Sequence, residues 1–431
     1  MSTGSDTSMS TGSESSPQQL VDHLFRHEAG KMIAVLTRIF GIHNLELVED
    51  TVQETFLKAL QAWRYRPIPD NPSAWLMQVA RNRTIDLIRR QQKLANLSEE
   101  LSLQLQSSTE NAVQLFFLDT EIADSQLRMI FTCCHPALNP EDQVALTLKT
   151  VSGFGVQEIA RALLSSETAI QKRLYRAREF IRQESIRFEI PAGQALIDRL
   201  ETVYTVLYLL FNEGYNSLKA DELIRHDLCA EAMRLCKLLT EHKVGAQPSS
   251  FALLSLMCFQ ASRFNSRIGE DNTIILLQQQ DRGKWDKELI KMGYYYLNLS
   301  SKGDYLSVYH IESAIAAEHC LAPDFDSTKW DVLLCMYDYL LERKPTAVVQ
   351  LNRSIILAQV AGVGTAIDAI LDIPGITGLL EQHYIYPAVL GDLYGRAGNV
   401  TEARRLLEMA YQLTSSLAEK KLLKEKLNAT H

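Results

Sequence analysis

The sequence predicts an all-α protein: two small helical modules followed by a long, helical solenoid of the tetratricopeptide (TPR) kind. Three observations predict it. From Gln19 onward, apolar residues recur at three- and four-residue intervals. Val156 to Arg182 reads as two short helices joined by a tight turn. Near the C-terminus, Leu390, Gly391, Tyr394, Gly398, Ala403, Leu407 and Ala410 fall at the offsets of one TPR helix pair. Small residues there let paired helices touch, and large ones fill the groove between them.

The totals bound the function. A chain of 431 residues is too long for one compact core. Its 44 Lys and Arg are outnumbered by 52 Asp and Glu, for a net charge of -8. It is therefore no basic DNA coat, and any nucleic-acid site must be a local basic patch. Seven scattered cysteines do not make a disulfide framework and fit a reducing cytoplasm. No apolar run reaches the length of a membrane span, and the N-terminus has no signal pattern.

In chain order, residues 1–18 are a Ser-, Thr- and Gly-rich tail. Residues 19–95 form the first module. Leu24, Ala29, Ile33, Leu36 and Phe40 share one helix face, and Gly41 stops that helix. A second helix carries Val48, Val52, Phe56, Leu57, Leu60 and Trp63 on its apolar side. Three prolines between Arg66 and Pro72 force a loop. The third helix, from Ser73 to about Gln92, begins apolar and aromatic and ends basic. That order suits stacking on unpaired bases while holding phosphates, though a core Trp with a solvated basic face reads as well.

Residues 96–114 are a polar linker, and 115–187 form the second module. Within it, Asn139-Pro140-Glu141-Asp142 opens a helix with acids in the first turn, where the helix dipole favours them. In the two-helix stretch, Ile159, Ala160 and Leu163 face inward from the first helix. Ser165 and Ser166 stop it and cap the next. The second helix buries Ile170, Leu174, Ala177 and Ile181. Its other face shows Gln171, Lys172, Arg173, Arg176, Arg178 and Arg182, an amide and cations suited to base edges and phosphates in a major groove. The plain alternative is an amphipathic hairpin with a solvated basic face.

Residues 188–195, with Pro191 and Gly193, form a second linker, and 196–431 the solenoid. Trp330 to Ala361 fits the TPR pattern less well than Tyr384 to Ser415 does. Cys133-Cys134-His135 lacks zinc spacing and reads as core cysteines at a helix end. Gly153-Phe154-Gly155 has no strand before it and is no phosphate loop. Gln280 to Asp286 is a polar-aromatic cluster that either lines a ligand pocket or forms an exposed turn anchored by Trp285. Phe211 to Tyr215 is either functional or a helix end capped by Gly214. No catalytic constellation, metal site or cofactor motif is present in the sequence.

Three stretches together resemble bacterial RNA polymerase sigma factors, and more closely the extracytoplasmic-function (ECF) group: Glu49–Ala59, Asn71–Arg90 and Val156–Arg182. The resemblance covers roughly residues 20–187, and the remainder resembles a long C-terminal extension found in one ECF group. It implies a non-enzymatic initiation factor without cofactors, whose partners are core RNA polymerase and promoter DNA. Asp50, Gln53, Glu54 and Phe56 would meet the polymerase clamp. The loop from Arg66 to Asn71 would receive a flipped base. Trp75, Arg81, Asn82, Arg83, Asp86, Arg89 and Arg90 would serve promoter melting and the downstream element. Thr168, Gln171, Lys172, Arg173 and Arg176 would read the upstream element. Leu164 departs from the pattern, since many helix-turn-helix units have Gly there. The extension would find its partner within the chain or in another protein and would set activity. The rival is a repressor or activator with a C-terminal effector pocket. It has no need of the Glu49–Ala59 and Asn71–Arg90 pair. An enzymatic C-terminal domain is a third and weaker reading.

Overall fold

The computed structural model describes residues 17–94, 117–163, 165–184, 186–215, 225–269 and 273–429. Residues 1–16 of the expected tail, the whole 96–114 linker and Leu164 lie outside them. The described residues contain helices and no strand, with one isolated antiparallel bridge between Ile268 and Ile274. Contacts divide the chain into two compact units. One comprises Met1–Arg161 with Ser165–Val203, and the other Tyr204–His431 with Ala162–Leu164.

The first unit opens with α1 (Pro17–Phe40), which Gly41 ends at φ 83°, a conformation few side chains tolerate. Helix α2 (Leu45–Tyr65) buries Val48, Thr51, Val52, Thr55, Phe56, Ala59 and Trp63. Leu57, expected on that apolar side, is 56% exposed, because it falls one residue past the buried stripe. Helix α3 (Pro72–Leu94) starts at a proline that needs no helical partner for its nitrogen, and Asn71 Oδ1 accepts from the amide of Ala74 at 2.9 Å. Then follow α4 (Asp119–Cys133), α5 (Pro140–Thr150), α6 (Val156–Ala162) and α7 (Glu167–Gln183). Ser166 caps α7 by accepting from Ala169 N at 3.1 Å, and α7 buries Ile170, Leu174, Ala177 and Ile181.

The sequence treats residues 19–95 and 115–187 as separate modules, yet α1 packs along α4 within one unit. Arg38 pairs with Glu121 at 2.7 Å and Asp124 at 3.3 Å. Gly30 lies so close to the turn after α5 that a Cβ there would sit 1.8 Å from the carbonyl oxygen of Val151. Cys133 and Cys134 end α4 inside this core, beside the hydroxyls of Thr150 at 3.1 Å and Thr147 at 3.9 Å. Burial pushes both thiols up, Cys134 to about 12, which makes them inert packing groups.

Helix α8 (Gln194–Tyr215) begins where the second linker was expected to end. Its residues through Val203 belong with the first unit, where Arg199 donates to the Phe131 carbonyl at 2.5 Å. Gly214 is no left-handed cap. It lies within α8, where a Cβ would meet Cys229 Sγ at 2.7 Å and the Arg225 carbonyl at 2.9 Å. The described residues of the second unit continue as helices, with two short 3-10 turns between Arg267 and Lys287. Among these helices α9 (Ile385–Arg396) and α10 (Val400–Leu413) are the pair named from the repeat pattern. Gly391 meets Leu407 and Ala403 there, with Ala403 and Ala410 fully buried. No single helix among the described residues is long and apolar enough to cross a membrane.

Candidate polymerase and nucleic-acid interface

Helix α2 divides its residues cleanly. Asp50, Gln53, Glu54, Leu57 and Lys58 are exposed, whereas Val52 and Phe56 face α1 and the core. Thr51 and Thr55 can be buried there because their hydroxyls donate to the Leu47 and Thr51 carbonyls at 2.7 and 2.9 Å. Phe56, named in the expected contact set, sits on the inner side of α2. It is 4% exposed and meets the ring of Phe25 at 4.8 Å, so it braces the helix from within. Leu57, which the sequence assigned to the core, stands in the exposed row instead.

The proline loop leaves Tyr65 81% exposed and Ile68 37% exposed, apolar surface beside the start of α3. Trp75 is half-buried against Trp63, with ring centroids 5.4 Å apart. Leu76, Ala80 and Thr84 form the buried stripe of α3. That stripe turns Asn82, Asp86 and Arg90 to the exposed side and leaves Arg81 and Arg83 half-buried. Gln78 donates to Asn82 Oδ1 at 2.9 Å, and Arg83 reaches Glu54 on α2 at 2.7 Å. The side chain of Arg89 lies outside the described residues. A cavity of about 570 Å³ opens beside α3, lined by Asn71, Ser73, Met77 and Arg81 and by Asp119 and Gln126 of α4.

On α7, Thr168, Gln171, Lys172 and Arg176 are exposed and Arg173 is half-buried. Arg173 and Arg176 are already engaged from α5, by Glu141 at 2.6 Å and by the nearly buried Asp142 at 2.7 Å. These acids hold the guanidinium groups in place and lower the charge they present. Lys172 makes no ion pair among the described residues. Arg178, grouped by sequence with the DNA-facing cations, is turned the other way. It donates to both oxygens of Glu49 on α2, at 2.7 and 3.0 Å. One group the sequence reading passed over is Tyr175, 66% exposed, four residues after Gln171 and thus on the same face. Its spacing would have found it.

Residues 24–94 match the family of Sigma-70 region 2, and residues 128–181 match Sigma-70 region 4. Over 134 residues the chain is 32% identical to the ECF RNA polymerase sigma factor SigM of Bacillus subtilis (strain 168), covering 31% of this chain and 76% of that one. The chain belongs to the ECF sigma factors. CarQ of Myxococcus xanthus, an RNA polymerase sigma factor, is 27% identical over 171 residues, 38% of this chain and 89% of that one. Residues 199–301 of the sigma factor, most of them in the second unit, match a different family, one of unknown function (DUF6596). An uncharacterized protein of Rhizobium meliloti (strain 1021) is 33% identical over 396 residues, 92% of each chain, so it shares the extension as well. No solved structure matches.

Within this sigma factor, region 2 runs from within α1 to the end of α3, and region 4 from the last turns of α4 into α7. The Glu49–Arg178 pair therefore joins the two regions directly, and the Arg38–Glu121 pair ties region 2 to the start of α4, just before region 4.

Proposed function

We propose that this sigma factor meets core polymerase through Asp50, Gln53, Glu54 and Leu57, and that α3 and α7 carry its two promoter contacts. The supporting observation is the exposed row on α2, polar except for one leucine, on a helix whose other side is fully committed to the core. An exposed leucine among polar groups is what a docking face for a partner helix offers. On α3, Trp75, Arg81, Asn82, Arg83, Asp86, Arg89 and Arg90 serve the melted strand, with the Arg66–Asn71 loop as the base pocket. On α7, Thr168, Gln171, Lys172, Arg173 and Arg176 serve the upstream element, where Lys172 brings charge with no carboxylate partner among the described residues. Arg173 and Arg176 arrive pre-oriented by Glu141 and Asp142.

The C-terminal helices set this activity within the same chain. A fused domain acts at an effective concentration of about millimolar for a short link, so even weak docking on the sigma regions or on polymerase is sufficient. The test is run-off transcription by purified core polymerase with full-length protein and with chains ending at Arg187 or Val203. Full-length protein directs promoter-specific transcripts, and the shortened chains change the yield strongly. Equal yield across a range of polymerase concentrations refutes the role of the extension. No transcript with any form refutes the whole reading.

A further inference from the structure

The second unit contains an open-mouthed cavity of about 530 Å³, within the size range of small-molecule sites. Most of its wall is apolar and aromatic, including Trp330, Tyr337, Ile356 and Leu423. The charged groups of the wall are unevenly matched. Asp392 is held by Lys426, and Glu419 accepts from the hydroxyls of Tyr384 and Thr414. Arg263 has no carboxylate partner among the described residues. Its guanidinium donates only to the neutral Oε1 of Gln280, at 3.2 and 3.3 Å, and lies 5.3 Å from the Trp285 ring centroid.

The surroundings add positive potential. Arg282 lies 5.1 Å from the same Trp285 ring and is 7% exposed. It donates to the His319 and Ala322 carbonyls at 2.7 Å and to Thr328 Oγ1 at 3.0 Å, and makes no direct ion pair among the described residues, the carboxylate of Asp324 acting on it only through space. His319 lines the cavity at 8% exposure, and its Nδ1 has no hydrogen-bond partner. A buried polar atom without a partner is costly, and a site built to receive a ligand is one reason to keep it. The Gln280–Asp286 stretch stands behind this wall rather than in it: Asp281, Gly283, Lys284 and Asp286 are exposed and Trp285 anchors the turn at 3% exposure, while Gln280 orients Arg263 and Arg282 holds the His319 carbonyl.

We propose that this cavity binds a small organic anion, its acidic head beside Arg263 and His319 and its apolar or aromatic body against Trp330 and Tyr337. An anion would supply the counter-charge that Arg263 lacks and the partner that His319 Nδ1 lacks, while the body would bury against rings already in place. The site stands on the second unit alone and holds whether or not the extension governs transcription.

The test uses full-length protein and two fluorescent probes that share one aromatic body: 1-anilinonaphthalene-8-sulfonate, which carries the acid, and N-phenyl-1-naphthylamine, which does not. The sulfonate should bind at one saturable site, about tenfold or more tighter than the neutral twin, the scale of one charge-assisted contact. Arg263→Gln should bring the sulfonate down to the level of the neutral probe, and Arg263→Lys should restore part of the difference. Asn352→Trp, placed at an exposed lining position, should block both probes while leaving the melting transition unchanged. Equal affinity of the two probes for wild-type protein overturns the proposal, and so does sulfonate binding that never saturates. Undiminished sulfonate binding by Arg263→Gln or by folded Asn352→Trp does the same.

Discussion

Gly30→Ala separates two opposite expectations by sign. In an isolated helix the change should stabilise by about 0.5–1 kcal/mol, since glycine loses more backbone freedom on folding. In this protein the new Cβ would stand 1.8 Å from the Val151 carbonyl oxygen, where real Cβ atoms keep at least 3.0 Å. Region 2 and region 4 must then part by more than an ångström, or α1 must shift on its own core. Overpacking of this kind costs about 1–3 kcal/mol. After the helical gain, a net loss of about 1–2 kcal/mol remains, roughly 5–30-fold in the opening equilibrium. Hydrogen exchange on the full chain reads it directly. The amides of Val151, Ser152 and Phe154, bonded to Thr147 and Leu148 carbonyls, should lose protection by that factor. Those of helix Val400–Leu413 should not change. Unchanged protection at residues 151–154 with raised protection in α1 would show that the regions do not press together at Gly30.

Gln53→Ala with Glu54→Ala should weaken pull-down of core polymerase while shifting stability by no more than about 0.5 kcal/mol, because both side chains are exposed; undiminished pull-down removes this edge of α2 from the interface. Lys172→Ala should weaken binding to promoter and unrelated DNA alike and reduce the salt slope by about one, as loss of a phosphate contact does; a loss confined to one base position would make it a base contact instead. Arg199→Met keeps the apolar stem but leaves the Phe131 carbonyl without its donor, so urea unfolding of the first unit should shift by about 1–3 kcal/mol; no shift would mean that α8 contributes nothing there. His319 is pushed down to about 3 by burial and by the facing charges of Arg263 and Arg282. The unfolded chain therefore takes up a proton near its ordinary value of 6.5 that the folded chain refuses, and stability falls as pH drops from there towards 3. His319→Gln should flatten that slope, and an identical slope in the variant would refute the assignment.

The helices were legible in the sequence because their causes are local. Apolar spacing, Gly41, the proline loop and the Ser166 cap each act within a turn or two, and they placed α1, α2, α3 and α7 within a few residues. The four buried residues of α7 were readable one by one, because a helix standing on a core has one inner face. The same logic failed at its edges. Leu57 is apolar and stands beside Phe56, and spacing alone could not tell which of the two the core would take. Helical identity of α8 was likewise readable, but not that its first turns belong with the first unit, since Pro191 and Gly193 look like a boundary whichever side the helix joins.

What tertiary structure alone decided is which charges find one another. Arg178 shares a helix with Lys172 and Arg173, and composition ranks the three as equals. Glu49, 129 residues away in sequence, takes Arg178, while Glu141 takes Arg173 and Lys172 has no ion pair among the described residues. Arg263 and His319 are separated by 55 intervening residues and look unremarkable in the chain, yet they line one cavity. The periodicity that forms a helix repeats every few residues and is written locally. A charge's partner is set by how whole helices pack, through contacts distant in sequence that no local pattern encodes.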